Sequence, residues 1–182
     1  MSVYYEFEDV DLFTTGALGE PGQRTFYLQA QSGRQRVAVK CEKQQVAAIV
    51  QYLRRVLNDL PPAEDRPLDN TLHLRQPVDQ AFVLGPIGLG YDRSSDRLVV
   101  QLEEIGSDVE VEDADDETLA AIEAAREALG ASGDGRVRLY VTRGQAQAFC
   151  DHADAVIAAG RPDCQWCGLP IDPDGHTCPR MN

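Results

Sequence analysis

Apolar positions divide the chain into short alternating runs and longer stretches of helical period. Val3 to Phe7 (VYYEF) is aromatic and β-branched, which predicts a strand. Thr25 to Gln31 (TFYLQAQ) has the same character after a turn at Glu20-Pro21-Gly22. Ser32-Gly33 then turns the chain into a strand from Arg36 to Cys41, where Val37 and Val39 occupy alternate positions. The period changes next. Val46, Ile49, Val50, Leu53, Val56 and Leu57 recur on one face of a helix, predicted from Glu42 to Asp59 and ended by Pro61-Pro62. The polar run to Asn70 reads as a loop.

The second half has a similar plan. Leu72 to Leu74 is read as a short strand, followed by strands at Ala81 to Leu84 and Arg97 to Glu103, the last two turning at Ser94-Ser95-Asp96. An acidic stretch from Asp108 to Glu117 predicts a solvated loop, and Thr118 to Leu129 an Ala-rich helix stopped by Gly130. Arg136 to Val141 is expected as a strand. Gln145 to Ala159 is expected as a helix closed by Gly160, with Phe149, Ala153, Val156 and Ile157 facing inward.

The two halves also share sequence. Phe13-Thr-Thr-Gly-Ala-Leu-Gly19 matches Phe82-Val-Leu-Gly-Pro-Ile-Gly88 as F-x-x-G-x-[LI]-G, and the strand from Arg36 matches that from Arg136, each leading into an amphipathic helix. The fold expected is α+β: a duplicated strand-strand-strand-helix unit with a mainly antiparallel sheet, plus a small C-terminal zinc knuckle. The first repeat spans 1–62 and the second 71–160, with an acidic and helical insertion over 104–135, and the tail covers 161–182. The motif glycines do not form a phosphate-binding loop, because Gly85 to Gly90 leads toward a strand rather than opening a helix, and no G-K-[ST] follows. They are read as turn or bulge glycines.

Composition narrows the function classes. At 182 residues the chain suits one ordinary domain or two small ones, and 43% hydrophobic residues support a packed core. Seventeen basic side chains face 30 acidic ones, giving a net charge of −13. Such a surface repels phosphate backbones, so nucleic-acid binding is disfavoured. No apolar run approaches the roughly 18–20 residues that cross a bilayer. The opening MSVYYEFEDVD lacks the basic and apolar regions of a signal peptide, which predicts a cytoplasmic protein. A reducing compartment keeps thiols free and turns closely spaced cysteines toward metal.

That matters for the tail, which reads C-x2-C-G-x7-H-x-C from Cys164 to Cys178. A C-x2-C turn sets two thiolates on one side of a tight loop, and the following glycine lets backbone N–H groups turn toward the sulfurs. Asp172-Pro173-Asp174-Gly175 can fold the chain back. Alternation then puts His176 and Cys178 on one side of an extended segment, opposite the first pair. Cys164, Cys167, His176 and Cys178 are thus expected to bind Zn2+ in a closed, structural Cys3His site, with iron as the main competitor. A redox C-x-x-C is the alternative, although the thioredoxin kind opens a helix in a βαβ unit. So short a segment buries no useful core, and only Trp166, Leu169 and Ile171 are available to pack around the site or dock it.

Other chemistry is sparse. Cys41 and Cys150 are read as buried small hydrophobes, His73 as a surface residue and His152 as a helix flank. Asp113, Asp115, Asp116 and Glu117 are read as a solvated acidic loop rather than a divalent-ion site. Arg24, Arg36, Arg136, Arg138, Arg143 and Arg161 would line an anion pocket if the halves brought them together. No catalytic residue stands out.

Pro21 to Ala30 (PGQRTFYLQA), Glu42 to Ile49 (EKQQVAAI) and the ending AGRPxCxxCGxPxDPxGHxCPRxN over 159–182 resemble an uncharacterised protein family of actinobacteria. That family often has Pro after the first cysteine. Gln165 stands there in this chain and leaves the ligands intact. The resemblance implies a cytoplasmic protein without an assigned activity. Members encoded beside a histidine-phosphatase-like and a lipid-kinase-like protein imply a shared pathway and a protein partner. The first expectation is therefore a non-enzymatic, zinc-bearing interaction or regulatory protein with no membrane attachment. The second is an enzyme or small-anion binder whose site lies between the repeats.

Overall fold

The computed structural model describes residues 4–64, 66–67, 71–106, 134–161, 164–171 and 175–180. The alternating runs form strands β1 (Tyr4–Phe7), β2 (Leu12–Leu18), β3 (Thr25–Ser32), β4 (Gln35–Cys41), β5 (Gln80–Asp92), β6 (Arg97–Glu104) and β7 (Arg136–Val141). The segments of helical period form α1 (Lys43–Asn58) and α2 (Arg143–Ala158). All seven strands join one sheet in the order β1-β7-β6-β5-β4-β3-β2. Within it β2-β3-β4 and β5-β6-β7 are antiparallel meanders, while β4 runs parallel to β5 and β1 parallel to β7. The fold is thus α+β with a mostly antiparallel sheet, and a Cys/His cluster lies at its C-terminal end. The halves differ by one strand from the duplicated unit expected: the first reads strand-strand-strand-strand-helix and the second strand-strand-strand-helix. Phe13 of the matched motifs is buried on β2, the second strand of its half, and Phe82 on β5, the first of its half.

The sheet cannot be flat. Its two edge strands, β1 and β2, are joined by residues 8–11 alone. Seven strands spaced about 4.8 Å apart would separate flat edges by about 29 Å, whereas that linker reaches at most about 18 Å. The sheet therefore curls until its edges approach. Helix α2 lies beside the edge strand β2: Phe13 and Phe149 stack with ring centroids 4.3 Å apart, and His152 Nε2 donates to the Thr15 carbonyl at 2.9 Å. Leu98, Val100, Val137, Leu139 and Val141 from the sheet are fully buried with Val46, Ile49, Leu53 and Phe149 from the helices, in one continuous core.

Helix ends follow capping chemistry. The Gln145 N–H donates to Thr142 Oγ1 (3.0 Å) while Gln145 Oε1 accepts from the Thr142 N–H (2.9 Å), a reciprocal box. At α1 the Gln45 side chain accepts from the Glu42 N–H at 2.9 Å. Each glutamine also donates away from its helix, Gln45 to the carbonyls of Leu84 and Gly85 and Gln145 to that of Val10. One residue type thus starts each helix and ties it to the sheet or to the β1–β2 linker.

Three expectations are corrected. Leu12–Leu18 is a strand that the alternating pattern did not announce, because Thr14 and Thr15 are both buried and Gly16 has no side chain. Leu72 to Leu74 is not a strand. That segment crosses the outer face of β2 and β3, where side chains rather than a ladder satisfy its backbone: Thr14 Oγ1 donates to the Leu72 carbonyl, and Gln29 bonds both the N–H (2.7 Å) and the carbonyl (3.1 Å) of Arg75. A Cβ at Gly16 would lie 2.5 Å from Leu74 Cγ, so the close crossing requires glycine there. Finally, β5 extends far past Leu84 to Asp92, and the register shift between Leu84 and Ile87 holds Pro86, which has no N–H to give a ladder. The loop expected at Asp108 to Glu117 and the helix expected at Thr118 to Leu129 lie outside the described residues. Among the described residues no helix is long and apolar enough to cross a membrane.

Candidate metal centre

The tail leaves α2 where the Ala159 N–H closes onto the Ala155 carbonyl. Its first ligand pair sits on a turn closed twice, by Gly168 N–H to the Cys164 carbonyl and by Cys164 N–H to the Leu169 carbonyl, each at 2.8 Å. Gly168 has φ +73°, the left-handed conformation that follows a C-x2-C turn at little cost only in glycine. Backbone N–H groups of Trp166 and Cys167 point at the Cys164 sulfur and hold its thiol below the ordinary range. The Leu169 N–H also points at Cys167, but burial and the neighbouring Cys164 and Cys178 sulfurs outweigh it and raise that thiol. The turn thus favours negative charge on the Cys164 sulfur.

His176 and Cys178 complete the group. The candidate ligand atoms of Cys164, Cys167, His176 and Cys178 all lie within 4.8 Å of one another. Cys164 Sγ is 3.9 Å from Cys178 Sγ, and Cys167 Sγ is 3.3 Å from His176 Nε2. A tetrahedral ion with bonds of about 2.3 Å to sulfur and about 2.05 Å to nitrogen would set its ligands about 3.8 Å (S to S) and about 3.5 Å (S to N) apart. These two separations agree to within a few tenths of an ångström. Cys164 and Cys178 are buried while Cys167 and His176 are half-buried, so the group can hold a metal ion at the surface of the body.

The other cysteines contrast with these. Cys41 on β4 and Cys150 on α2 are buried in the core, and burial pushes each thiol up to about 12. They are packing groups, as expected. His73 is exposed and meets His152 edge-on, with ring centroids 5.8 Å apart. Trp166 is 57% exposed and Leu169 52%, so two of the three apolar side chains of the tail face solvent.

The six arginines do not gather. Arg36 lines a depression with Arg34 and Asp79, while Arg136 pairs with Glu103 (3.4 Å) and Arg143 with Asp96 (3.0 Å). Arg138 lies over the Tyr140 ring. Only Arg24 and Arg161 share a hollow, and the third cation beside them is Lys43, which the sequence did not single out. No local signal marks it, since the start of α1 meets the end of α2 only in the folded chain.

The chain matches, over residues 5–178, the model of a family described as a protein of unknown function, DUF3090, and it belongs to that family. No curated protein and no solved structure matches it.

Proposed function

Proceeding from membership of a family without an assigned activity, we propose that this is a cytoplasmic, non-enzymatic interaction or regulatory protein. Its C-terminal knuckle binds one structural zinc ion through Cys164, Cys167, His176 and Cys178 and presents Trp166 and Leu169 to a protein partner. The observation that carries this reading is the pairing of the two features. Four candidate ligands lie within 4.8 Å of one another, and the large apolar side chains beside them are spent on neither the core nor the site. Three thiolates and an imidazole favour zinc, and a full set of four leaves no open position for catalysis.

Elemental mass spectrometry on untagged protein tests the metal. One zinc per chain, lost in Cys164→Ser, is the expected result; metal-free, freshly reduced protein would sink the reading in favour of a redox dithiol. The double variant Trp166→Ala/Leu169→Ala tests the surface. It should keep its zinc and melting temperature while losing a partner found by crosslinking in cells, and unchanged crosslinking would remove the knuckle from the interface. Cell fractionation checks the compartment, where recovery outside the cytoplasm would contradict the proposal.

A further inference from the structure

We infer that the hollow between the β2–β3 turn, the start of α1 and the end of α2 is a binding site for a small dianion carrying a phosphoryl group. Arg24, Lys43 and Arg161 line it with Gly22, Gly160 and Pro170, the last from the metal knuckle, around a volume of about 220 Å³. The site is independent of the zinc reading except for that one wall.

Glycines bring the cations together. A Cβ at Gly160 would lie 3.0 Å from the Arg24 terminal nitrogen Nη2 and 4.0 Å from Lys43 Nζ, so both charges converge on one point. A Cβ at Gly22 would lie 3.4 Å from Arg161 Nε and 3.5 Å from its Cζ. Arg24 is held in place: its guanidinium lies 5.1 Å from the centre of the Phe26 ring, and Nη1 donates to the Val156 carbonyl at 3.2 Å. That leaves Nη2 free of the Val156 bond, beside Gly160.

Stability does not explain the arrangement. Among the described residues neither Arg24 nor Lys43 forms an ion pair, although the chain has a net charge of −13 and carboxylates in excess. Like charges this close repel one another. Lys43 is also the first residue of α1, the end at which a helix dipole disfavours a cation, and the one carboxylate at that end, the N-cap Glu42, is engaged with the N3 backbone N–H. A bound anion relieves both penalties.

The chemistry selects the class. Guanidinium forks match the oxygens of phosphate, and a lysine adds a point charge. Three cations suit a dianion better than a single carboxylate. The volume falls below the roughly 300–1,000 Å³ of sites for drug-sized ligands, so the occupant is inorganic phosphate or a phosphate monoester with a small organic part.

Titration of the zinc-loaded full chain, followed by amide NMR at constant ionic strength, tests this. Inorganic phosphate should give saturable shifts concentrated at Gly22, Lys43 and Gly160, where chloride gives none. Lys43→Gln, an exposed position, should weaken binding about tenfold while leaving zinc content unchanged and the melting temperature no lower than that of the wild type. Glycerol phosphate separates the two sources: tighter binding than phosphate identifies a monoester, and equal or weaker binding the free ion. Shifts that grow linearly and match those of chloride, or an affinity untouched by Lys43→Gln, would overturn the site. Acetate binding as well as phosphate would overturn the ligand class. None of these readouts depends on a protein partner, so this site and the docking surface fail separately.

Discussion

The body and the knuckle of this protein are held together by different means. In the body, strands and helices bury large apolar side chains in one core, and Phe149, Ile49, Leu53, Leu98 and Leu139 have essentially no exposure. Among the described residues of the knuckle, Cys164 and Cys178 are the buried ones, while Trp166 and Leu169 stand mostly in solvent. Water exclusion thus stabilises the first region and has little to act on in the second. Apolar burial cannot supply the order of the tail, and on the proposed metal reading bonds to an ion supply it instead. Substitutions in the two regions should therefore separate cleanly.

The largest effect is expected in the core. Phe149 stacks on Phe13 in the packing of α2 against β2, so Phe149→Ala should cost about 3–5 kcal/mol of unfolding free energy. Urea denaturation measures this, and metal content at low urea should stay at the wild-type level. Loss of metal in the folded variant would show that body and knuckle form one cooperative unit. A smaller but still large effect is expected at Gln29, which is 1% exposed and satisfies both backbone groups of Arg75. Gln29→Ala should cost about 1–3 kcal/mol by leaving those groups unpaired. A cost under about 0.5 kcal/mol would mean that water replaces the amide.

These two residues also show what the sequence could and could not reveal. Helix α1 was legible because Val46, Ile49, Val50 and Leu53 repeat at helical spacing and all four are buried. Strands β4 and β7 were legible because Val37 and Val39, and Val137, Leu139 and Val141, alternate. Strand β2 was hidden, since its outer face carries Thr14 and Gly16 beneath a crossing segment rather than a polar face in water. The same crossing disguised Leu72 to Leu74, whose alternation reflects packing onto a strand and not membership of one. The metal group was legible because every spacing in it is local. The cationic hollow was not, since Arg24, Lys43 and Arg161 meet only when a turn from one half touches a helix end from the other.

A third effect is smaller and remains within the body. Thr142 caps α2 through the Gln145 N–H, so Thr142→Ala should cost about 1 kcal/mol. Thr142→Ser keeps the hydroxyl and should recover most of that loss in the same denaturation experiment. Equal losses in the two variants would assign the cost to the missing methyl group rather than to the cap.

The smallest effect on the body, and the most telling for the comparison, is expected from removing the metal. The four candidate ligands lie between 164 and 178, outside every strand and helix of the body. Their loss removes no side chain from the main core cluster. A chelator should therefore shift the unfolding free energy of the body by less than about 1 kcal/mol, the ordinary range for surface changes. Hydrogen exchange should tell the regions apart. The amides of Cys164 and Gly168, bonded across the knuckle turn, should lose their protection entirely, while those of β6 and β7 keep theirs. If the amides of β6 and β7 lost protection together with those of the turn, the division drawn here would fail, and the ion would count as part of the core.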